Sequence, residues 1–135
     1  MNGQTQPKVA PPKPMFSPAD LNNPAMAQAL TRKAWDVGRN RGYLLGKTIG
    51  KNGNHTVKER ESNSARDDVV TIFVWQAFGL PGNSNEANGI RRTLPQWIME
   101  ALFRGMDEGV RSAWEELERE LQVQPQQQPI PPRPQ

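Results

Sequence analysis

The residues that come closest to a chemical motif are Gly46, Lys47 and Thr48, which match the end of a phosphate-binding loop. That loop requires a first glycine separated from Gly-Lys-Thr by four residues. The required position is occupied by Arg41, and Gly42 stands one residue too late. The loop must also follow a β-strand for its backbone N–H groups to surround the phosphates, and no strand is predicted upstream. The sequence therefore does not predict a nucleotide-binding site.

Acidic residues occur in adjacent pairs, but neighbours on a helix point in different directions and do not form an acid–base dyad. These pairs are Asp67/Asp68, Asp107/Glu108 and Glu115/Glu116. The chain has no cysteine and a single histidine, His55, in a polar segment. It therefore lacks a thiolate nucleophile, a disulfide and a histidine cluster for a metal. We expect a protein that is not an enzyme and that has no cofactor, no metal and no small-molecule substrate.

Basic side chains are concentrated between Thr31 and Arg60, where eight lysines and arginines and two acids give a local charge of +6. Such residues can neutralise phosphates, and Trp35 and Tyr43 can stack on bases. The candidate nucleic-acid contacts, which include two arginines before the last predicted helix, are Arg32, Lys33, Arg39, Arg41, Lys47, Lys51, Arg91 and Arg92. No helix-turn-helix or RNA-binding signature accompanies them. A small basic nucleic-acid-binding accessory protein is therefore an alternative function.

Proline-rich segments occupy both ends of the chain, over residues 1–23 and 123–135. Such composition predicts an extended N-terminal arm and an extended, glutamine-rich tail. Each end carries a P-x-x-P motif beside a basic residue, a pattern that aromatic-lined grooves recognise. The motif prolines are Pro11 and Pro14 in the arm, and Pro131 and Pro134 in the tail. An adaptor that presents these motifs is a second alternative function, and a solubilising linker has the same composition.

Between the arms, residues 24–122 are predicted to form one helical domain. The expected helices cover about 24–50, 65–78 and 94–122. Asn23 followed by Pro24 provides an N-cap and a proline at the first helical position. Thr93 and Gln96 form a capping box at the start of the last helix. The polar segments 51–64 and 83–89 are expected to be loops.

The middle element could be a helix or a strand by composition, because β-branched and aromatic residues dominate positions 69–78. That composition is typical of a strand. The preceding Ser64 and Asp67 resemble a capping box, which favours a helix. We therefore predict an all-α fold with two long closely packed helices, one shorter apolar helix and extended Pro-rich N- and C-terminal arms.

Rows of small residues at every fourth position distinguish the two long helices. The rows are Ala34, Gly38, Gly42, Gly46 and Gly50 in the first helix and Ala101, Gly105, Gly109 and Ala113 in the last. Four interior glycines cost a helix about 2–4 kcal/mol relative to alanine, so close backbone packing must offset them. The rows either pack on each other within one chain or dock a second copy or a partner. A flexible loop over 38–53 is the competing interpretation.

The preferred function is therefore that of a structural or assembly protein. Its helical body would pack on copies or partners, and its arms would contact neighbours. A large assembly such as a virus (phage) particle is a setting in which such arms become ordered. No segment has the length of a membrane span and no secretory signal is evident. We expect a cytoplasmic protein, or one incorporated into a virion after cytoplasmic synthesis.

Overall fold

The computed structural model describes residues 14–127, and all regular secondary structure in this range is helical. The all-α prediction is thus confirmed. Two short 3-10 helices come first, at Pro18–Asn22 and Pro24–Met26. They are followed by α1 (Ala27–Ile49), α2 (His55–Phe78), α3 (Asn85–Thr93) and α4 (Gln96–Gln127).

The two long helices with glycine rows, α1 and α4, lie against each other and run in the same direction. Gly38 faces Leu102 near the start of the contact, and Gly46 faces Val110 further along. Close packing between these two helices is therefore observed as predicted. They run parallel because α2, which lies between them in the sequence, brings the chain back in the opposite direction.

The third long helix, α2, runs opposite to both. Its Lys58 lies over the ring of Trp114 in the second half of α4, and its Arg66 lies over the ring of Phe103 in the first half. The prediction of a loop over 51–64 is wrong from His55 onward. The side chains of this stretch are polar and mostly exposed. The sequence therefore has no periodic apolar residues there that would predict a helix.

The apolar half of α2 settles the choice between helix and strand at positions 69–78 in favour of the helix. Its buried side chains form two rows at helical spacing: Val69, Phe73 and Ala77, and Val70, Val74 and Phe78. The helix ends at Gly79, whose left-handed backbone (φ 71°) allows its N–H to donate to the Trp75 carbonyl. β-Branched composition was therefore outweighed by burial on two helical rows.

The short helix α3 lies where a turn-rich loop was predicted over 83–89. The Ser84 hydroxyl oxygen accepts a hydrogen bond from the Ala87 N–H, which caps the helix. Arg91 in its last turn donates to the Thr71 hydroxyl and to the Gly82 carbonyl. The contact with Thr71 attaches α3 to α2, and the contact with Gly82 attaches it to the connection between the two helices. These contacts support a helix in spite of residues that favour turns.

The end of the predicted N-terminal arm belongs to the folded body. The backbone N–H groups of Met15 and Phe16 both donate to the Ala77 carbonyl, and Phe16 is only 9% exposed. The prediction of an extended arm is therefore wrong for residues 14–22.

At the other end of the chain, α4 continues to Gln127 instead of ending near 122. The remainder of both predicted arms, 1–13 and 128–135, lies outside the described residues.

Candidate protein-binding groove

The contact between α1 and α4 brings backbone against backbone at two glycines of α1. A Cβ on Gly38 would overlap the carbonyl oxygen of Leu102, and a Cβ on Gly42 would overlap that of Met106. The hydrogen that replaces each side chain therefore points at a carbonyl oxygen of α4. Such Cα–H···O contacts are weakly stabilising, at about 0.5–1 kcal/mol each.

The arrangement is reciprocal, because α4 presents two glycines to α1 in the same way. A Cβ on Gly105 would overlap the carbonyl oxygen of Trp35, and a Cβ on Gly109 would overlap that of Arg39. Any larger residue at these four glycines would separate the two helices. The predicted reason for the glycines, close backbone approach, is thus what the geometry shows.

The other small residues of the two rows have different surroundings. A Cβ on Gly46 would lie 2.8 Å from the Cβ of Ala113, and Ala34 and Ala113 are fully buried. Ala101 is 7% exposed. Gly50, in contrast, has φ 77° and open space where a Cβ would stand, and its N–H donates to the Gly46 carbonyl as α1 ends. Gly50 therefore terminates α1 and does not belong to the helix interface.

Both glycine rows are consequently used inside one chain. All five interface glycines of α1 and α4 are buried, namely Gly38, Gly42, Gly46, Gly105 and Gly109. Neither row is therefore exposed for docking a second copy or a partner, which argues against that hypothesis.

A polar cluster lies along the partly exposed edge of the contact between α1 and α4. The Tyr43 hydroxyl donates to the Glu116 carboxylate, and the Lys47 ammonium lies 2.5 Å from the same carboxylate and 3.6 Å from Glu120. The hydrogen bond from Lys47, followed by that from Tyr43, lowers the pKa of Glu116. The hydrogen bonds to Glu116 raise the pKa values of Tyr43 and Lys47.

Other residues proposed as nucleic-acid contacts also have partners in the chain. Lys51 lies 2.8 Å from Glu118, Arg41 lies 3.0 Å from Asp68, and Arg32 lies 4.0 Å from Asp36. With Lys47 and the hydrogen-bonded Arg91, five of the eight candidates are already engaged. For Lys33, Arg39 and Arg92 the described residues provide no ion pair. Three of the five cations of α1, namely Arg32, Arg41 and Lys47, are therefore paired with acids of the same chain.

Of the four proline-motif residues, the structure describes one. Pro14 is exposed, and its ring lies 3.3 Å from the position a Cβ of Gly79 would take. Pro11, Pro131 and Pro134 lie outside the described residues. Recognition of the two P-x-x-P motifs by a partner therefore stays a prediction.

An apolar groove runs beside the glycine interface, between the end of α1, the middle of α4 and the first half of α2. Its volume is about 420 Å³. The floor is apolar and consists of Leu45, Ile49, Met106, Val110 and Trp114. The rim carries three cations and two other polar residues: Lys58, Arg66, Arg111, Ser62 and Asp107. The groove thus offers hydrophobic surface bordered by mainly positive charge.

The α2 wall of the groove follows from helical spacing. Lys58, Ser62 and Arg66 are four residues apart, so they share one helix face, and that face is directed at α4. The Lys58 ammonium lies 5.6 Å from the centre of the Trp114 ring. The Trp114 indole N–H is buried and has no hydrogen-bond partner within the described residues. This wall was not predicted from the sequence, because Lys58 and Ser62 fall in the segment expected to be a loop.

A second depression continues the groove toward the end of α4. It shares Ile49 and Trp114 with the first and adds Leu117 and Leu121 of α4 with residues 50–53. Leu121 is 65% exposed. A partly exposed apolar stripe therefore follows α4 over Val110, Trp114, Leu117 and Leu121.

No protein-family model, curated protein or solved structure matches the chain. Within residues 14–127, no helix is both long enough and apolar enough to cross a lipid bilayer. In the same part of the chain, histidine, aspartate and glutamate side chains form no group of three or more that could hold a metal ion.

Proposed function

We propose that the protein is a non-enzymatic structural or assembly protein that binds copies of itself or partner proteins through the groove. The observation that carries this proposal is the groove floor, where Trp114 and four aliphatic or thioether side chains lie beneath a rim of Lys58, Arg66 and Arg111. A tryptophan among apolar residues is typical of the sites that dominate protein–protein affinity. A basic rim adds orientation and selects an acidic partner.

The packing beneath the groove supports this proposal. The backbone contact of Gly42 with Met106 holds α1 against α4, so the two helices that form the floor have a fixed separation. A preformed site loses less conformational entropy on binding than one that must be ordered. The glycines therefore contribute to binding indirectly, by positioning the floor.

The proposed setting is a larger assembly, such as a virus particle that receives the protein after cytoplasmic synthesis. The proline-rich sequences at residues 1–13 and 128–135 would contact neighbours there, as their composition favours. A nucleic-acid-binding role is less well supported, because the partly buried Lys47 and Arg41 lie 2.5 Å and 3.0 Å from carboxylates of the same chain.

A matched pair of substitutions on α2 tests the proposal. Ser62 borders the groove, whereas Ser64 is exposed and is not among the residues that line it. We expect the wild-type protein, isolated from its source, to migrate with particles larger than the monomer. Ser62→Trp should fill the groove and release the protein as a monomer, while Ser64→Trp should behave as wild type.

Two results would contradict the proposal. One is a wild-type protein that is monomeric both in isolation and in its source. The other is an assembly whose size is unchanged by Ser62→Trp when circular dichroism confirms that the variant is folded.

A further inference from the structure

We infer, on the basis of the proposed function, that the occupant of the groove is α4 of a second copy, bound antiparallel about a two-fold axis. The apolar stripe of α4 would then pack on itself, with Trp114 of one copy against Leu117 of the other. The spacing of the stripe, its exposure and the charges on either side of it support this pairing.

The spacing of the stripe is that of a coiled-coil seam. Val110, Trp114, Leu117 and Leu121 follow one another at intervals of four, three and four residues. This repeat keeps one face of a helix directed at a partner helix. Val110, Trp114 and Leu117 are partly buried and Leu121 is 65% exposed, so the seam is incomplete in the single chain.

The charges beside the seam select the antiparallel direction. Arg111 directly follows Val110, and Glu118 directly follows Leu117, so the two occupy equivalent positions in successive heptads. In an antiparallel pair of helices, the heptad position that directly follows Val110 or Leu117 lies opposite the same heptad position of the partner helix. A two-fold axis near residues 115 and 116 places Arg111 of each copy opposite Glu118 of the other, and symmetry forms this pair twice.

The parallel arrangement offers no such pair. There, Glu118 of one copy would face the position five residues earlier on the other, which is Ala113. Glu118 would then lie beside an alanine, and Arg111 would lie beside Met106 by the same rule. Opposite charges flank the seam in one direction only, so the sequence of α4 distinguishes between the two.

The α2 wall adds charge complementarity of its own. Lys58 lies over Trp114, at the level where the acidic end of the second α4 would pass. That end, residues 115–120, carries four glutamates and one arginine, and two of the glutamates, Glu116 and Glu120, already pair with Lys47 of their own chain. Glu115 and Glu118 therefore supply the negative charge that faces the wall. Arg111 already pairs with Glu108 at 3.2 Å and Glu118 with Lys51 at 2.8 Å, but all four side chains are at least 38% exposed. Exposed pairs of this kind contribute little and can be exchanged for pairs at an interface.

Light scattering on the full-length chain across a concentration series tests the inference. We expect wild type to reach twice the monomer mass of 15.2 kDa. Arg111→Glu and Glu118→Arg should each raise the dimer dissociation constant by about tenfold or more, because each places like charges opposite each other twice. The double variant R111E/E118R should restore dimerisation, since it re-forms both pairs with the charges exchanged.

Two controls separate interface effects from folding effects. Arg92→Glu makes the same charge change at an exposed residue of α3 that does not line the groove, and it should leave the dissociation constant unchanged. Leu121→Asp should abolish the dimer while the circular dichroism spectrum stays that of wild type, because Leu121 is largely exposed in the single chain.

A wild-type protein that stays monomeric at every concentration would overturn the inference, as would a dimer that R111E does not weaken or that R111E/E118R does not restore. The proposed function fails separately. If wild type is monomeric alone but enters a larger assembly that Ser62→Trp abolishes, the groove binds a different partner and only the two-fold dimer is wrong. If neither dimer nor assembly forms, both proposals fail.

Discussion

Gly109 on α4 packs directly on Arg39 of α1, so closely that a Cβ on Gly109 would overlap the Arg39 carbonyl oxygen and lie 2.6 Å from the Tyr43 N–H nitrogen. The contact involves the backbone of Arg39 and not its guanidinium. A basic residue that was predicted to contact nucleic acid thus has a structural role through its main chain. It also means that no rotamer change can make room for a side chain at Gly109.

Gly109→Ala is therefore expected to destabilise the protein by about 1–3 kcal/mol, the range for overpacking a well-packed site. Alanine's higher helix propensity offsets the loss only in part. Gly89 provides the control, because it is exposed in α3 and a Cβ there meets nothing within 4 Å. Gly89→Ala should stabilise the protein by about 0.5–1 kcal/mol. Urea unfolding followed by circular dichroism measures both, and a tolerated Gly109→Ala would mean that α1 and α4 are less closely packed.

The cluster of Tyr43, Lys47 and Glu116 gives the protein a pH dependence at both ends of the scale. The bonds from Lys47 and Tyr43 lower the pKa of Glu116 below its ordinary 4.5, and the bond to Glu116 raises the pKa of Tyr43 above 10.0. The contribution of Glu116 is present above its unfolded pKa and is lost as pH falls through the lower folded value. That of Tyr43 is present below its unfolded pKa and is lost as pH rises through the higher folded value.

Glu116→Gln should accordingly reduce stability at neutral pH and flatten the loss of stability below about pH 4.5 and above about pH 10. The neighbouring, exposed Glu115 supplies the matched control, and Glu115→Gln should keep the wild-type profile. Thermal unfolding from about pH 3 to about pH 11 measures the difference. Parallel wild-type and Glu116→Gln profiles would show that the cluster is not formed in solution.

The glycine interface could be predicted from the sequence because its signal is local and periodic. Small residues four apart on two helices favour close backbone packing, and the positions of Gly38, Gly42, Gly105 and Gly109 all match the observed contact. The prediction that Gly50 belongs to the interface is wrong, because spacing alone does not distinguish the interior of a helix from its end. There, a left-handed φ of 77° decides the role of the glycine.

The groove could not be predicted in the same way. Its α2 wall, from Lys58 to Arg66, is polar and partly exposed, so hydrophobic periodicity gives no signal for a helix. The indication that was present is Asn54, whose side chain accepts bonds from the Thr56 and Val57 N–H groups and starts α2. The partnership of Lys58 with Trp114 depends on tertiary packing between segments far apart in sequence, which no local pattern contains.

The N-terminal segment supplies a further prediction, because one aromatic residue attaches it to the body. Phe16 is 9% exposed within the core, whereas the adjacent Met15 is 59% exposed. Phe16→Ala should destabilise the protein by about 3 kcal/mol, as expected for removal of a buried aromatic ring. Met15→Ala should change stability by less than about 0.5 kcal/mol. Guanidinium unfolding compares the two, and equal effects would place Phe16 outside the core.

The first turn of α2 controls whether the groove has its basic wall. Asn54→Ala removes the acceptor for the Thr56 and Val57 N–H groups and should destabilise the helix start by about 1 kcal/mol. Because residues 55–64 bury little surface of their own, we expect local fraying around Lys58 before the rest of the protein unfolds. Amide hydrogen exchange should therefore increase in this stretch, while exchange near Phe73 stays as in wild type. Asn54→Asp retains an acceptor oxygen and should restore protection. Unchanged exchange in Asn54→Ala would show that the contacts with α4 alone hold the wall in place.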